Sequence, residues 1–164
     1  MCDGGVRVME TEIYNYRSGE QVIPKSISNE IIEVIQSMNY SLGRYEIKGF
    51  KDDLAVKLKE IGWTGPVPLS SQSNITISAI LKNIGLCTQT GNMARFYADL
   101  IKLQTMYMDD KIKAAIYVIP KKECAKEFGD NVANYDRFVK ELTNFYSKVI
   151  TIPMIVIGFD NKEE

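Results

Sequence analysis

Residues 75–104 read ITISAILKNIGLCTQTGNMARFYADLIKLQ. The apolar period changes along this stretch. Ile75, Ile77 and Ala79 alternate with Thr76, Ser78 and Ile80, a strand pattern. Lys82-Asn83 reads as a turn. Alternation resumes over 84–90, with Gly85, Cys87 and Gln89 on one face and Ile84, Leu86 and Thr88 on the other. Thr90, Gly91 and Asn92 then start a helix, whose spacing shows in Met93, Phe96, Leu100, Leu103 and Tyr107. Two short strands, a tight turn and an amphipathic helix follow in order.

Outward from this unit, residues 5–16 alternate loosely and fit an edge strand or an extended arm. Ser28 can cap a helix that carries Glu30 near its positive end, and Ile31, Ile32, Ile35 and Met38 form its stripe. Residues 39–50 read as a turn and irregular chain. A second helix is expected over about 52–61, closed by Gly62, and Gly65, Pro66 and Pro68 enforce an extended loop. Beyond the unit, 114–119 is apolar throughout and suits a strand buried on both faces. Helices are expected over 121–128 and 132–145, and a closing strand over 150–159. Residues 160–164 read as a disordered tail. The order implies an α/β domain with a mixed sheet, one domain spanning residues 1–164.

Composition narrows the chemistry. The chain has 164 residues and contains no histidine. That removes the commonest general base, the Ser-His and Cys-His nucleophile pairs and most zinc enzymes. Three cysteines without a CxxC spacing argue for a reducing compartment. Hydrolysis here would have to run on carboxylates, lysine or a metal held by oxygen ligands. Net charge is −1, from 20 basic and 21 acidic residues, which argues against unspecific coating of nucleic acid but allows a site-specific binder with one basic face. Residues 6–13 are too short and too charged for a leader, and no apolar run is long enough to span a membrane. A soluble, cytoplasmic protein is expected.

The paired strands with Gln89 and Asn92 resemble the BglII-type branch of the restriction endonucleases, within the PD-(D/E)XK nucleases. That branch shows Asp, eight residues, Glu, one residue, Gln, then a Ser/Gly-Asn and a helix. On this chain Gln falls on Gln89 and Asn on Asn92, but the Asp position holds Ser78 and the Glu position Cys87. The resemblance extends over about 28–159, through the leading helix, the helix before Trp63 and the Pro-rich loop, and the strand 114–119. It implies a restriction-endonuclease-like three-layer core, a central mixed sheet flanked by helices. It also implies double-stranded DNA as partner, a homodimer matching a palindromic site, and a restriction-modification or phage-defence setting.

In such nucleases two carboxylates hold magnesium, a hard ion that prefers oxygen ligands in an octahedron. The ion activates water and neutralises charge on the scissile phosphate. Serine is no substitute for an ionised ligand, and cysteine is soft. Ser78, Cys87 and Gln89 are therefore the aligned but degenerate catalytic positions. No metal is expected, and Mg2+ is the cofactor only if the protein is active. Glu30 is the helix carboxylate that could contribute. Asp99, on the helix after the turn, is expected to point away. Asn92 and Arg95 are the candidate DNA-binding residues, since Asn can read adenine and Arg guanine or phosphate.

Plainer readings accompany each residue. Cys87 also fits a small core residue, Asn92 a helix cap, and Lys121, Lys122 and Lys126 a solvated helix start or a phosphate contact. The reading is a DNA-binding pseudoenzyme with weak or absent cleavage. Two alternatives stand beside it: an active Mg-dependent type II deoxyribonuclease with carboxylates from other positions, and an inactive partner or inhibitor acting through protein–protein contact.

Overall fold

In a computed structural model, which describes residues 7–38 and 47–163, the chain runs through thirteen elements. The N-terminal part comprises β1 (Arg7–Tyr16), α1 (Gly19–Val22), α2 (Lys25–Ser37) and α3 (Ile47–Glu60). Then come β2 (Val67–Pro68), β3 (Thr76–Ile77), β4 (Ala79–Leu81), β5 (Ile84–Thr88) and α4 (Ala94–Met108). The C-terminal part comprises β6 (Ala114–Pro120), α5 (Lys122–Phe128), α6 (Tyr135–Asn144) and β7 (Met154–Glu163), with one 3-10 turn at Tyr146–Lys148.

The apolar run 114–120 is buried at every position and lies in the middle of a five-stranded sheet of order β1-β7-β6-β5-β4. β6 is parallel to both its neighbours, while the outer pairs β1/β7 and β4/β5 are antiparallel. Strand parity divides the interior into two cores. Ala114, Ile116 and Val118 of β6, with Ile155, Ile157 and Phe159 of β7, meet the buried faces of α2, α3 and α5. Ala115, Tyr117 and Ile119, with Met154 and Val156, meet α4 and α6. The result is a mixed sheet between two helical layers, an α/β fold.

Several local expectations change. α2 starts at Lys25 behind Pro24, whose fixed φ suits a helix entrance, so Ser28 sits inside the helix with its hydroxyl donating to the Lys25 carbonyl at 3.2 Å. α3 begins at Ile47, earlier than its apolar spacing suggested; the rest of the expected irregular segment, 39–46, lies outside the described residues. α6 begins only at Tyr135, where the Asn134 side chain accepts from the Arg137 amide at 3.0 Å. The expected C-terminal tail is strand instead: β7 continues through Glu163, paired with β1 as far as Arg7. Lys121 pairs with Glu12 at 2.5 Å and Lys126 with Glu123 at 3.0 Å.

The strand over 75–81 is broken at Ser78. β3 pairs with β2, whereas β4 pairs with β5. Across this bend Ile77 enters the α4/α6 core and Ala79 the α2/α3 core, although simple alternation would put both on one face. Ile75, which precedes β3, is 54% exposed.

Candidate functional site

The bend at Ser78 opens the β4 side of the sheet. A pocket of about 580 Å³ lies there, between α3, the 64–66 loop, the 76–79 bend, the end of β5 and α4. It brings together Ser78, Cys87, Gln89 and Arg95. Glu30 is not among its lining residues; it is exposed on α2. Asn92 is exposed beside the pocket, and its Oδ1 accepts from the Ala94 amide at 2.9 Å, a capping role at the entrance of α4.

Each aligned position is engaged. Ser78 is half-buried, its amide donates to the Leu86 carbonyl at 3.0 Å, and its Oγ accepts from the Thr88 amide at 3.1 Å. Ser78 therefore stitches the bend to β5. Cys87 lies opposite Tyr117 in the β5/β6 ladder and is buried. Burial first, and then the Asp99 carboxylate, push its thiol well above the ordinary cysteine range, so it stays protonated.

Gln89 follows β5 and is 6% exposed. Its Oε1 accepts from the Gly91 amide at 3.0 Å, and its Nε2 donates to Asp99 Oδ2 at 2.7 Å. Tyr117 donates to the same oxygen at 2.8 Å. Asp99 Oδ1 lies 3.6 Å from Lys102 Nζ, an i,i+3 pair along α4. The expectation that Asp99 points away is thus wrong. α4 turns this residue onto the sheet beside Phe96, Leu100 and Leu103, and Asp99 is 7% exposed. The available signal was its helical phase: 96, 99, 100 and 103 form one stripe, and a carboxylate in an apolar stripe requires buried donors.

Tyr117 completes this buried group. Its ring stacks on Phe138 at 4.4 Å between centroids, 4° from parallel. Burial, followed by the Asp99 charge, raises its hydroxyl well above the ordinary tyrosine range. Gly91 allows the close approach of its neighbours. A Cβ there would stand 3.0 Å from Gln89 Oε1 and 3.2 Å from Arg95 Nη1.

The charged lining comprises Lys51, Lys59, Arg95 and Lys102 against Asp52 and Asp99. Lys51, Asp52 and Lys59 arrive from α3, far away in sequence, and were not foreseen. Magnesium does not fit the innermost donors. Ser78 Oγ is neutral and already accepts a hydrogen bond, Cys87 is a soft and protonated thiol, and Asp99 Oδ2 already accepts two hydrogen bonds. Among the described residues no three His, Cys, Asp or Glu side chains converge.

A mixed five-stranded sheet between helices, with a polar pocket at the paired strands, is the restriction-endonuclease fold. The crystal structure of restriction endonuclease BglII complexed with a DNA 16-mer superposes with a TM-score of 0.79 at 12% identity, covering 91% of this chain and 77% of that one. The family model for restriction endonuclease BglII/BglIII matches residues 11–159. The chain belongs to that family. A search of the curated proteins found no similar sequence.

Proposed function

We propose that this protein is a DNA-binding member of the BglII/BglIII family whose metal site is degenerate, so that it binds duplex DNA with little or no cleavage. The observation that carries this reading is the identity of Ser78 and Cys87 at the two ligand positions, both committed to structure. DNA binding draws support from the likeness to a nuclease solved on DNA and from the cationic lining of the pocket. Arg95, on the pocket lining, is the proposed contact to phosphate or a base, with Asn92 nearby as its companion.

A restriction-modification or phage-defence setting suits such a protein, as do a cytoplasmic location and one domain over 1–164. No helix among the described residues is long and apolar enough to cross a membrane. A homodimer is part of the same proposal. The solvent face of α4 carries Ile101 and Met108, 64% and 70% exposed, a surface suited to a partner. Sedimentation equilibrium at micromolar protein tests this, and a monomer throughout removes the dimer.

The test of the main reading is a plasmid cleavage assay in Mg2+ or Mn2+, beside a gel shift with short duplexes. Binding without cutting is expected. The double variant Ser78→Asp/Cys87→Glu is expected to gain divalent-ion binding by calorimetry and measurable cutting. Cutting by the unaltered protein would overturn the reading. It would favour a second one: an active Mg-dependent deoxyribonuclease in which Asp99 of α4 exchanges its present partners for the ion. In that case Asp99→Asn abolishes the activity.

A further inference from the structure

We infer that the pocket is a phosphate-binding site built from the protein's own cations, with Lys102 as its inner positive charge in place of a divalent ion. This rests on the proposed reading where the phosphate belongs to DNA. The same chemistry would also accept free inorganic phosphate.

Three observations carry it. The first is charge: four cationic side chains face two carboxylates in one pocket. The second is the disposition of Asp99. Its Oδ2 is occupied by the Gln89 amide and the Tyr117 hydroxyl, and its Oδ1 faces the Lys102 ammonium. A carboxylate held in this way is unsuited to coordinating an incoming ion, but it anchors an ammonium. The third is the placement of the other cations. Lys59 folds against Gly65, where a Cβ would meet its Nζ at 3.4 Å, and Arg95 lies over Gly91. These close approaches set two cations along the pocket wall.

Lys102 and Lys51 come from opposite sides, α4 and α3, yet both act on the Cys87 thiol and favour its ionised form. Their charge is therefore felt at the strand position that would otherwise hold a carboxylate ligand. The Lys102 side chain is 27% exposed, so it lines the pocket beside Asp99 while keeping contact with solvent. An anion entering the pocket meets N–H donors that pair with phosphate oxygens.

The experiment measures binding of a fluorescent short duplex to the full-length protein by anisotropy, in excess EDTA and in millimolar MgCl2. A thermal-shift titration with inorganic phosphate runs beside it. The affinity is expected to be no higher in Mg2+ than in EDTA. Lys102→Met is expected to weaken binding about tenfold and reduce the slope of log K against log salt by about one. Lys102→Arg is expected to restore both. A duplex that binds only with Mg2+, or equal binding by the unaltered protein and Lys102→Met, overturns the inference and leaves DNA binding standing. Absent duplex binding, with stabilisation by phosphate that Lys102→Met abolishes, upholds the pocket and removes DNA as its ligand. Absence of both responses removes the pocket and the DNA reading together.

Discussion

Replacing Asp99 by alanine strands two buried donors, the Gln89 amide and the Tyr117 hydroxyl. Each unpaired buried group costs about 1–3 kcal/mol, so Asp99→Ala is expected to lose about 3 kcal/mol or more in urea unfolding. Asp99→Asn keeps the shape and one acceptor oxygen, and is expected to lose about half as much. A loss below about 1 kcal/mol in the alanine variant would mean that the three groups are not coupled as described. Gly91 makes a different demand at the same place. In Gly91→Ala the new methyl presses on Gln89 Oε1 and the Arg95 guanidinium. The expected outcome is a small stability loss, about 1 kcal/mol, with a clear fall in duplex affinity as Arg95 shifts. Unchanged affinity would place Arg95 outside the DNA contact.

Elements are held by similarly close approaches. α1 is only four residues long and packs by Gly19 directly on the start of β7. A Cβ at Gly19 would stand 2.4 Å from the Met154 carbonyl oxygen, and backbone cannot rotate away as a side chain can. Gly19→Ala is expected to push α1 off the sheet and cost about 3 kcal/mol, read from the urea midpoint. Gly158→Ala meets the Tyr135 ring at 2.6 Å instead, and should cost less because a ring at a helix start can yield. If both variants cost the same, rigidity of the neighbour is not what sets the effect. α4 shows how an element positions chemistry. Its stripe of Phe96, Leu100 and Leu103 is buried on the sheet, and full burial of each such side chain is worth about 1.5–3 kcal/mol. That packing fixes the rotation of the helix, and Asp99 follows onto Gln89.

Burial holds the Cys87 and Cys124 thiols and the Tyr117 hydroxyl in their neutral forms, which makes stability depend on pH. Burial pushes the Cys124 thiol from an ordinary value of 9.0 up to about 12, and Cys87 is raised in the same direction. Below pH 9.0 the thiols are protonated in both folded and unfolded chains. Above it only the unfolded chain releases these protons, so stability falls as pH rises. Each such thiol contributes about 1.4 kcal/mol of loss per pH unit across that window. Urea midpoints are expected to drop steeply above pH 9.0, less so in Cys124→Ala. A flat profile through pH 10 would show that the thiols are not shielded. For the same reason Cys87 and Cys124 are expected to resist thiol reagents until denaturant is added, which peptide mapping can follow. At this scale the near-neutral net charge also acquires a meaning. Four of the 20 basic residues line one pocket, while Lys121 and Lys126 are paired elsewhere.

Sequence by itself determined the local periods and what the residue types can do. Alternation placed Cys87 and Gln89 on the same side of the chain along and just past β5, helical spacing marked α4, and the apolar run marked the central strand. Those patterns follow from covalent geometry, two residues per repeat in a strand and 3.6 per turn in a helix. The lack of histidine, and serine and cysteine at the aligned positions, likewise limited the chemistry before any fold was known. Tertiary structure alone decided which distant groups meet. The change of strand partner at Ser78 sends Ile77 and Ala79 into different cores, and α3 brings Lys51 and Lys59 to a site whose inner residues lie on β5 and α4, far along the chain. The pairing of β7 with β1 turned an apparent tail into strand. Asp99 joined the site because the register of β5 on β6 sets Cys87 beside Tyr117, while packing of α4 lays the carboxylate over both. Such meetings depend on register and helix rotation, which long-range packing sets and no local period contains.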